Sequence, residues 1–256
     1  MALLLVTNDD GIHAPGLAAL AEALGELGDV WVVAPEREQS ACGHALTLHR
    51  PIRAVPMGER RFAVNGTPSD CVNLGVLGFL PERPAVVVSG INHGGNLGDD
   101  VTYSGTVSAA MEATLLGVPA VAVSLLDGGD LAHARAVARV VTTRVLVEGL
   151  PRKTLLNVNV PPQAPRGLRV TRLGHRVYSD KIVEHTDPRG RTHYWIGGGE
   201  PSWEALEGTD MAAIHEGYVA ITPVHLDLTN HGAVTRMAEW GSALSAQLKR
   251  DAARPG

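Results

Sequence analysis

The strongest constraint on the fold is a strand, a helix and a second strand within the first 34 residues. The apolar run at residues 3–6 is too short for anything but a buried strand, and the periodic segment 17–27 predicts a helix. Residues 29–34 predict a second buried strand. This arrangement implies a right-handed crossover connection, and the two strands therefore belong to a parallel sheet.

The alternation of strands and helices continues along most of the chain. Further strands are predicted at 45–53, 61–64, 84–90, 118–125, 154–160, 167–174, 177–185, 193–196 and 218–222. Helices are predicted at 67–80, 104–117, 131–147 and 209–215, and a helical tail carries an apolar stripe from residue 232.

These elements predict a doubly wound, mostly parallel, Rossmann-like α/β fold of three layers. Residues 1–175 and 200–228 would form the catalytic α/β domain. Residues 176–199 would form a protruding β-hairpin, because a turn at 187–190 separates two strand-like segments. Residues 229–256 would form the C-terminal helical tail.

Composition excludes several classes of protein. The net charge is −5 and there are only three lysines among 256 residues, so we expect no nucleic-acid partner. No apolar run reaches the length of a membrane span. Cys42 and Cys71 have no metal-binding spacing, which favours two thiols of a reducing compartment. With no leader visible, we expect a cytoplasmic protein.

Two adjacent acids, Asp9 and Asp10, follow the first strand. Ligands of open parallel sheets bind at the carboxyl ends of the strands, which is where this pair stands. Adjacent carboxylates repel each other, and a hard divalent cation would relieve that repulsion. The alternative is a loop whose acids cap the next helix or brace a turn. Position alone leaves both interpretations open.

Other polar loops leave the same edge of the predicted sheet. Ser40 lies in the loop after the second strand, where a surface turn is the alternative to a shared site. A glycine-rich loop at 91–100 carries Asn92 and Asn96 but matches neither standard nucleotide-loop pattern. The run 104–106, Ser-Gly-Thr, opens a helix, and it is either a phosphate site or an ordinary cap.

Taken together, these motifs resemble the survival protein E (SurE) family of metal-dependent nucleotidases over most of the chain. The matching runs lie at 6–11, 34–40, 65–72, 89–92, 96–98, 103–107, 156–161 and 208–210. The resemblance implies one divalent cation, Mg²⁺ or Mn²⁺, held by Asp9, Asp10, Ser40 and Asn92. It also implies that Asn96, Ser104, Gly105 and Thr106 lie on the phosphate side. His44 and His93 receive no role.

The activity that the resemblance implies is hydrolysis of nucleoside 5′- and 3′-monophosphates, with short polyphosphate as a further substrate. The amides of Asn92 and Asn96, with the backbone N–H groups of residues 105 and 106, would orient the phosphate. Either Asp9 or Asp10 would accept the proton of the attacking water. A homodimer or homotetramer is expected, because the hairpin and the tail place aromatic side chains outside the core.

Two rival functions stay open at this point. An aspartyl-phosphate phosphatase normally carries two aspartates that flank one residue, whereas Asp9 and Asp10 are adjacent. A non-enzymatic sensor of nucleotide or metal would use the same loop edge without activating a water.

Overall fold

The computed structural model describes residues 1–177, 182–196, 202–203 and 206–252. A nine-stranded sheet has the order β3-β4-β2-β1-β5-β6-β7-β13-β8. Its strands are β1 (Ala2–Thr7), β2 (Gly28–Pro35), β3 (Ala54–Gly58), β4 (Arg61–Val64), β5 (Val86–His93), β6 (Ala120–Leu125), β7 (Thr154–Val160), β8 (Leu168–Val170) and β13 (Val219–His225). The pairs from β4 through β2, β1, β5 and β6 to β7 are all parallel.

In the described ranges up to residue 225, five α-helices accompany this sheet. They are α1 (Pro15–Gly25), α2 (Pro68–Leu74), α3 (Gly105–Leu115), α4 (Leu131–Glu148) and α5 (Asp210–His215). A π-helical turn, Gly75–Phe79, extends α2, and a 3₁₀ turn, Gly98–Thr102, precedes α3. Among the described residues, four short strands complete this part: β9 (Arg176–Val177), β10 (Ile182–Thr186), β11 (Thr192–Ile196) and β12 (Ser202–Trp203), of which β12 pairs with β9.

Helices cover both faces of the sheet, as the sequence predicts. Successive side chains of a strand point to opposite faces, and Leu4 joins the buried cluster that includes Leu20 of α1 and Val141 of α4. Leu5 points the other way, because a Cβ added at Gly75 would lie 2.7 Å from its side chain. Helices α2 and α3 pack against each other. The predicted three-layer, doubly wound α/β class is therefore confirmed.

One predicted strand is wrong. Residues 45–53 are irregular, and the strand that pairs antiparallel with β4 is β3, at Ala54–Gly58. Side chains of other segments satisfy the backbone here: the Thr47 N–H donates to the Asp70 carboxylate at 2.9 Å, and the Arg53 N–H donates to the Asn65 side chain at 2.7 Å. Backbone groups bonded in this way are not available for hydrogen bonds to a neighbouring strand.

Most other boundaries shift by a few residues. The helix predicted at 67–80 is α-helical only over Pro68–Leu74, and Thr67 caps it while the Asp70 side chain returns a hydrogen bond to the cap. The strand predicted at 167–174 is confined to Leu168–Val170, and the last strand runs on to His225. These differences do not change the layer structure.

The hairpin and the tail are described separately. Strands β10 and β11 pair antiparallel, and residues 178–181 and 197–199 of the predicted hairpin lie outside the described residues. The chain divides into two compact units, Met1–Val224 and His225–Gly256. The second unit contains α6 (His231–Ala252), the predicted helical tail. Within the described ranges, no helix is both long enough and apolar enough to cross a membrane.

Candidate active site

The acid pair lies in the turn after β1, at the carboxyl edge of the sheet. Asn8 holds this turn: its amide donates to the Gly11 carbonyl at 3.1 Å, and its side-chain oxygen accepts the Gly11 N–H at 3.2 Å. Gly11 has a φ of +102°, a conformation that residues with a Cβ rarely adopt. The turn therefore sets the positions of Asp9 and Asp10.

Asp9 is the buried member of the pair, with 4% of its surface exposed. Its Oδ1 atom accepts a hydrogen bond from the Thr106 hydroxyl, and backbone N–H groups of Gly105 and Thr106 also bond to the carboxylate. Burial raises the pKa of the Asp9 carboxyl, and these hydrogen bonds oppose only part of that rise. The ionised form keeps an energetic cost that a nearby cation would relieve.

Asp10 is half-buried and differs from Asp9 in its surroundings. Burial, followed by the negative charge of Asp9, raises the pKa of the Asp10 carboxyl to about 6. The backbone N–H of His93 bonds to this carboxylate and opposes the rise, whereas the charge of Glu38 adds to it. The predicted repulsion between the two acids is thus present in the fold.

Thr106 connects the acid pair to Asn92. The Thr106 hydroxyl lies 3.3 Å from the Asn92 Oδ1 atom, and it also bonds to the Asp9 carboxylate. The two oxygens therefore face the same hydroxyl group. The Asn92 amide donates to the carbonyls of Gly94 at 2.8 Å and His93 at 3.3 Å. The oxygen of Asn92 is therefore turned toward the acids, and its amide is used within its own loop.

The loop that carries Ser40 approaches the site through the backbone of Gln39. The Gln39 N–H donates to the Asp9 carbonyl at 2.8 Å, which brings the loop after β2 against the acid turn. The Ser40 side chain is exposed, and its hydroxyl donates to the Glu38 carboxylate at 2.6 Å. The structure thus brings the loop of Ser40 to the acid pair, while the hydroxyl itself bonds elsewhere.

Asn96 is part of a buried polar network. Its amide donates to the Ser124 hydroxyl at 2.7 Å, and its carbonyl accepts from the Asn157 and Asn159 amides at 2.8 and 2.9 Å. Its N–H donates to the Asn159 side chain. Sequence reasoning gave neither Asn157 nor Asn159 a role, although polar residues alternating within an apolar strand were a signal. Together they hold the loop after β5 in place.

The N-terminus of α3 combines both interpretations of the Ser-Gly-Thr run. Ser104 is an ordinary cap, since its Oγ accepts the Val107 N–H at 3.1 Å. Gly105 lies directly against the acid pair, because an added Cβ would stand 2.7 Å from the Asp9 Cβ and 2.8 Å from its Oδ2. Only glycine allows this close approach of the helix end to the carboxylate.

A second polar cluster links two of the elements that carry the site. The His44 Nε2 atom lies 2.6 Å from the Oε2 atom of Glu112, a buried residue of α3, and the Asn73 amide donates to Oε1 at 2.7 Å. Glu112 and Asn73 were missed in the sequence because nothing local marks contacts between residues that are 68 positions apart, as His44 and Glu112 are, or 39 apart, as Asn73 and Glu112 are. His93 is exposed, and its Nδ1 atom lies 3.5 Å from Asp127.

The oxygens at this site suit a hard cation. No group of three or more His, Cys, Asp or Glu side chains is arranged for a metal ion anywhere in the described ranges. Two carboxylates with raised pKa values instead stand beside the neutral oxygens of Asn92 and Thr106. Such a set suits a hard divalent cation, and it contains no soft ligand.

The fold and the site together define a doubly wound α/β protein with an acid pair at the carboxyl edge of its sheet. The family model described as Survival protein SurE matches residues 4–180. The chain therefore belongs to the SurE family.

Relatives cover nearly the whole chain. A 5′-nucleotidase SurE of Geobacter metallireducens is 57% identical over 246 residues, which are 94% of this chain and 98% of that protein. One of Syntrophotalea carbinolica is 55% identical over 247 residues, 95% of this chain and 99% of that protein. The crystal structure of the SurE protein from Aquifex aeolicus aligns with a TM-score of 0.85 at 43% identity, covering 93% of this chain and 99% of that chain.

Proposed function

We propose that this protein is a divalent-metal-dependent hydrolase that releases phosphate from nucleoside 5′-monophosphates, and also from 3′-monophosphates. The observation that carries the proposal is the buried Asp9 carboxylate against the N-terminus of α3, where Thr106 links it to Asn92. Two adjacent carboxyls whose pKa values are raised favour the binding of a cation, and a helix N-terminus favours the binding of an anion such as phosphate. The relatives named 5′-nucleotidase SurE support the same conclusion.

Asp9, Asp10, Asn92 and Ser40 would hold one divalent cation, Mg²⁺ or Mn²⁺. The side-chain oxygens of Asp9 and Asn92 both face the Thr106 hydroxyl, and the charges of Asp9 and Asp10 act on each other. Ser40 would join them once its hydroxyl leaves Glu38. A bound cation supplies positive charge for the phosphoryl oxygens and lowers the pKa of a bound water. The donor set supports this assignment by its chemistry and by the unrelieved charge of the acids.

The remaining roles belong to the chain itself. Asp9 or Asp10 would accept the proton of the attacking water, as general bases do. The backbone N–H groups of Gly105 and Thr106 bond to Asp9 in this structure, and they would orient the phosphate once the Asp9 carboxylate binds the cation instead. Ser104 would cap that helix end through its bond with the Val107 N–H. Asn96 would serve the phosphate side by holding the loop after β5, since its amide is bonded to Ser124.

The test measures phosphate release from AMP with EDTA and with Mn²⁺, for the wild type and for Asp10→Asn. We expect release only with metal, and a loss of orders of magnitude in the variant because the charge that holds the cation is removed. The variant should also lose the cation-induced rise in melting temperature. In EDTA it should melt at or above the wild-type temperature, because one of two repelling carboxylates is gone.

Asp130→Asn is the matched control for this test. Asp130 caps α4 by accepting the Ala132 N–H at 2.8 Å, and asparagine caps equally well. Both turnover and the metal-induced shift should stay at wild-type values in this control.

Two results would support a rival function instead. Metal-replete wild-type protein that binds AMP without turnover would support the non-enzymatic sensor, and an aspartyl-phosphate intermediate trapped on the chain would support the aspartyl-phosphate phosphatase. Release of phosphate from short polyphosphate tests the additional substrate in the same assay.

Assembly and location complete the proposal. We expect a homodimer or homotetramer, supported by the exposed side chains of Tyr194 and Trp195 in β11 and of Trp240 in α6. The division into a catalytic domain, a hairpin at 176–199 and a tail at 229–256 remains a prediction from the sequence. A cytoplasmic location also remains one, and the two free cysteines are consistent with it.

A further inference from the structure

A buried carboxylate of α3, that of Glu112, takes no part in the roles assigned above. Only 7% of the surface of Glu112 is exposed. Its Oε2 atom lies 2.6 Å from the His44 Nε2 atom, and its Oε1 atom accepts a hydrogen bond from the Asn73 amide at 2.7 Å. Glutamate is rarely buried unless its carboxylate is paired, and here both oxygens have a partner. One of these contacts fixes the ring of His44.

The loop that carries Ser40 is anchored to the site on both sides of this residue. Before it, the Gln39 N–H donates to the Asp9 carbonyl at 2.8 Å. After it, the Gly43 N–H donates at 3.1 Å to the carbonyl of Tyr103, which precedes α3. Ser40 itself is exposed between the two anchors. The position of its hydroxyl therefore depends on contacts that its neighbours make.

His44 adds a side-chain contact to the second of these anchors. It follows Gly43 directly in the chain, and its partner Glu112 belongs to the helix whose first residue, Gly105, packs against Asp9. The pair thus joins the loop of the predicted ligand to the helix that contacts the acid pair. Glu112 stands seven residues beyond Gly105, or about 10 Å along the helix axis. The pair therefore acts on the site through the loop and not by direct contact.

We propose that His44 and Glu112 form a positioning pair that holds Ser40 where its hydroxyl can bind the divalent cation. This inference rests on the proposed metal-dependent function, in which Ser40 is one of the ligands. Residues outside the ligand shell control metal affinity because they fix the positions of the ligands. Without the pair, cation binding would have to order the loop of Ser40, and the entropic cost of that ordering would weaken the affinity.

Calorimetric titration of the metal-free protein with Mn²⁺, without substrate, tests the pair through binding. We expect the Kd for Mn²⁺ to rise about tenfold in His44→Ala, the scale on which supporting residues affect metal affinity. His44→Gln should regain part of this loss, because a glutamine amide can also donate to the Glu112 carboxylate. The matched control is His49→Ala, at an exposed histidine five residues further along the chain, which should keep the wild-type Kd.

A double-mutant cycle with Ser40→Ala identifies the route of the effect. If the pair acts by placing Ser40, His44→Ala changes the Kd for Mn²⁺ much less when residue 40 is already alanine. An equal change in both backgrounds overturns the inference, because the pair would then influence the cation by another route. A wild-type Kd in Ser40→Ala alone also overturns it, because Ser40 would then not be a ligand.

The outcomes separate this inference from the function on which it rests. Wild type that binds Mn²⁺ and hydrolyses AMP, with an unchanged Kd in His44→Ala, overturns the positioning pair and leaves the hydrolase intact. A lower melting temperature of His44→Ala in EDTA with an unchanged Kd has the same meaning, because the contact would then serve stability alone. Wild type that neither binds Mn²⁺ nor releases phosphate from AMP overturns the proposed function, and the inference falls with it.

Discussion

At the scale of single residues, two adjacent aspartates have different environments. Asp9 is buried and bonded to Thr106, whereas Asp10 is half-buried and bonded to the His93 backbone. The pKa of both carboxyls is raised, with burial as the main cause. A protein that needed these acids only to brace a turn would gain nothing from raised pKa values. A cation bound at the site would offset the energetic cost of ionising these two carboxyls.

The raised pKa of Asp10 makes the stability of the metal-free protein depend on pH. Folding raises this pKa from 3.8 to about 6, so the folded state binds the proton more tightly than the unfolded state. The stabilisation is complete below 3.8 and is lost as the pH rises through about 6. Urea unfolding in EDTA should show a smaller fall in stability between pH 4 and 7, roughly, for Asp10→Asn than for the wild type. An equal fall in both proteins would contradict this origin.

At the scale of elements, the site is assembled from the ends of strands and one helix. The loop after β2 bonds to the acid turn through the Gln39 N–H, and β5 bonds to it through the N–H of its last residue, His93. Helix α3 closes the arrangement, with Gly105 packed against Asp9. The pair of His44 and Glu112 ties the loop after β2 to the same helix. Each element therefore depends on its neighbours for its position.

Gly105→Ala tests the contact between α3 and the acid pair. The added Cβ would stand 2.7 Å from the Asp9 Cβ, so the carboxylate or the helix end must move. We expect a drop in kcat/KM of about 10²-fold, because small displacements in a catalytic site have effects of that order. Gly25→Ala, at the end of α1, is the control, since its Cβ meets no atom within 4 Å. The prediction fails if both variants keep wild-type activity.

At the scale of the whole molecule, the exposed apolar side chains call for an explanation. Helix α6 forms a unit of its own, and Val234, Met237, Trp240, Leu244 and Leu248 are all exposed on it. They recur at helical spacing, which is typical of a face that packs against something. The strand β11 likewise exposes Tyr194, Trp195 and Ile196. These surfaces are the basis for the predicted oligomer.

Leu244→Glu tests whether the apolar face of α6 serves assembly. A charge in a buried interface is costly, so the variant should show a lower mass than the wild type by light scattering at micromolar concentration. Ala246→Glu is the control, because residue 246 is also exposed and lies about 200° around the helix from residue 244. A wild type that is monomeric at this concentration would refute the prediction, as would equal masses for wild type and Leu244→Glu.

The sequence alone determined the features that depend on short stretches of chain. Apolar runs and helical periodicity placed most strands and helices, and Thr67 was one of two residues predicted to cap α2. The carboxyl ends of β1, β2 and β5 had to share one edge, because the strands are parallel. The acid pair, the loop of Ser40 and Asn92 could therefore be assigned to one site before the structure was known. The strand expected at 45–53 failed because distant side chains bond its backbone.

Only the tertiary structure decided how side chains from distant segments meet. It turned the oxygen of Asn92 toward Thr106 and directed the Ser40 hydroxyl to Glu38. It paired His44 with Glu112. Local sequence carries no information on such contacts, because each one depends on the packing of segments that are far apart in the chain. Burial has the same origin, and it raises the pKa values of Asp9 and Asp10.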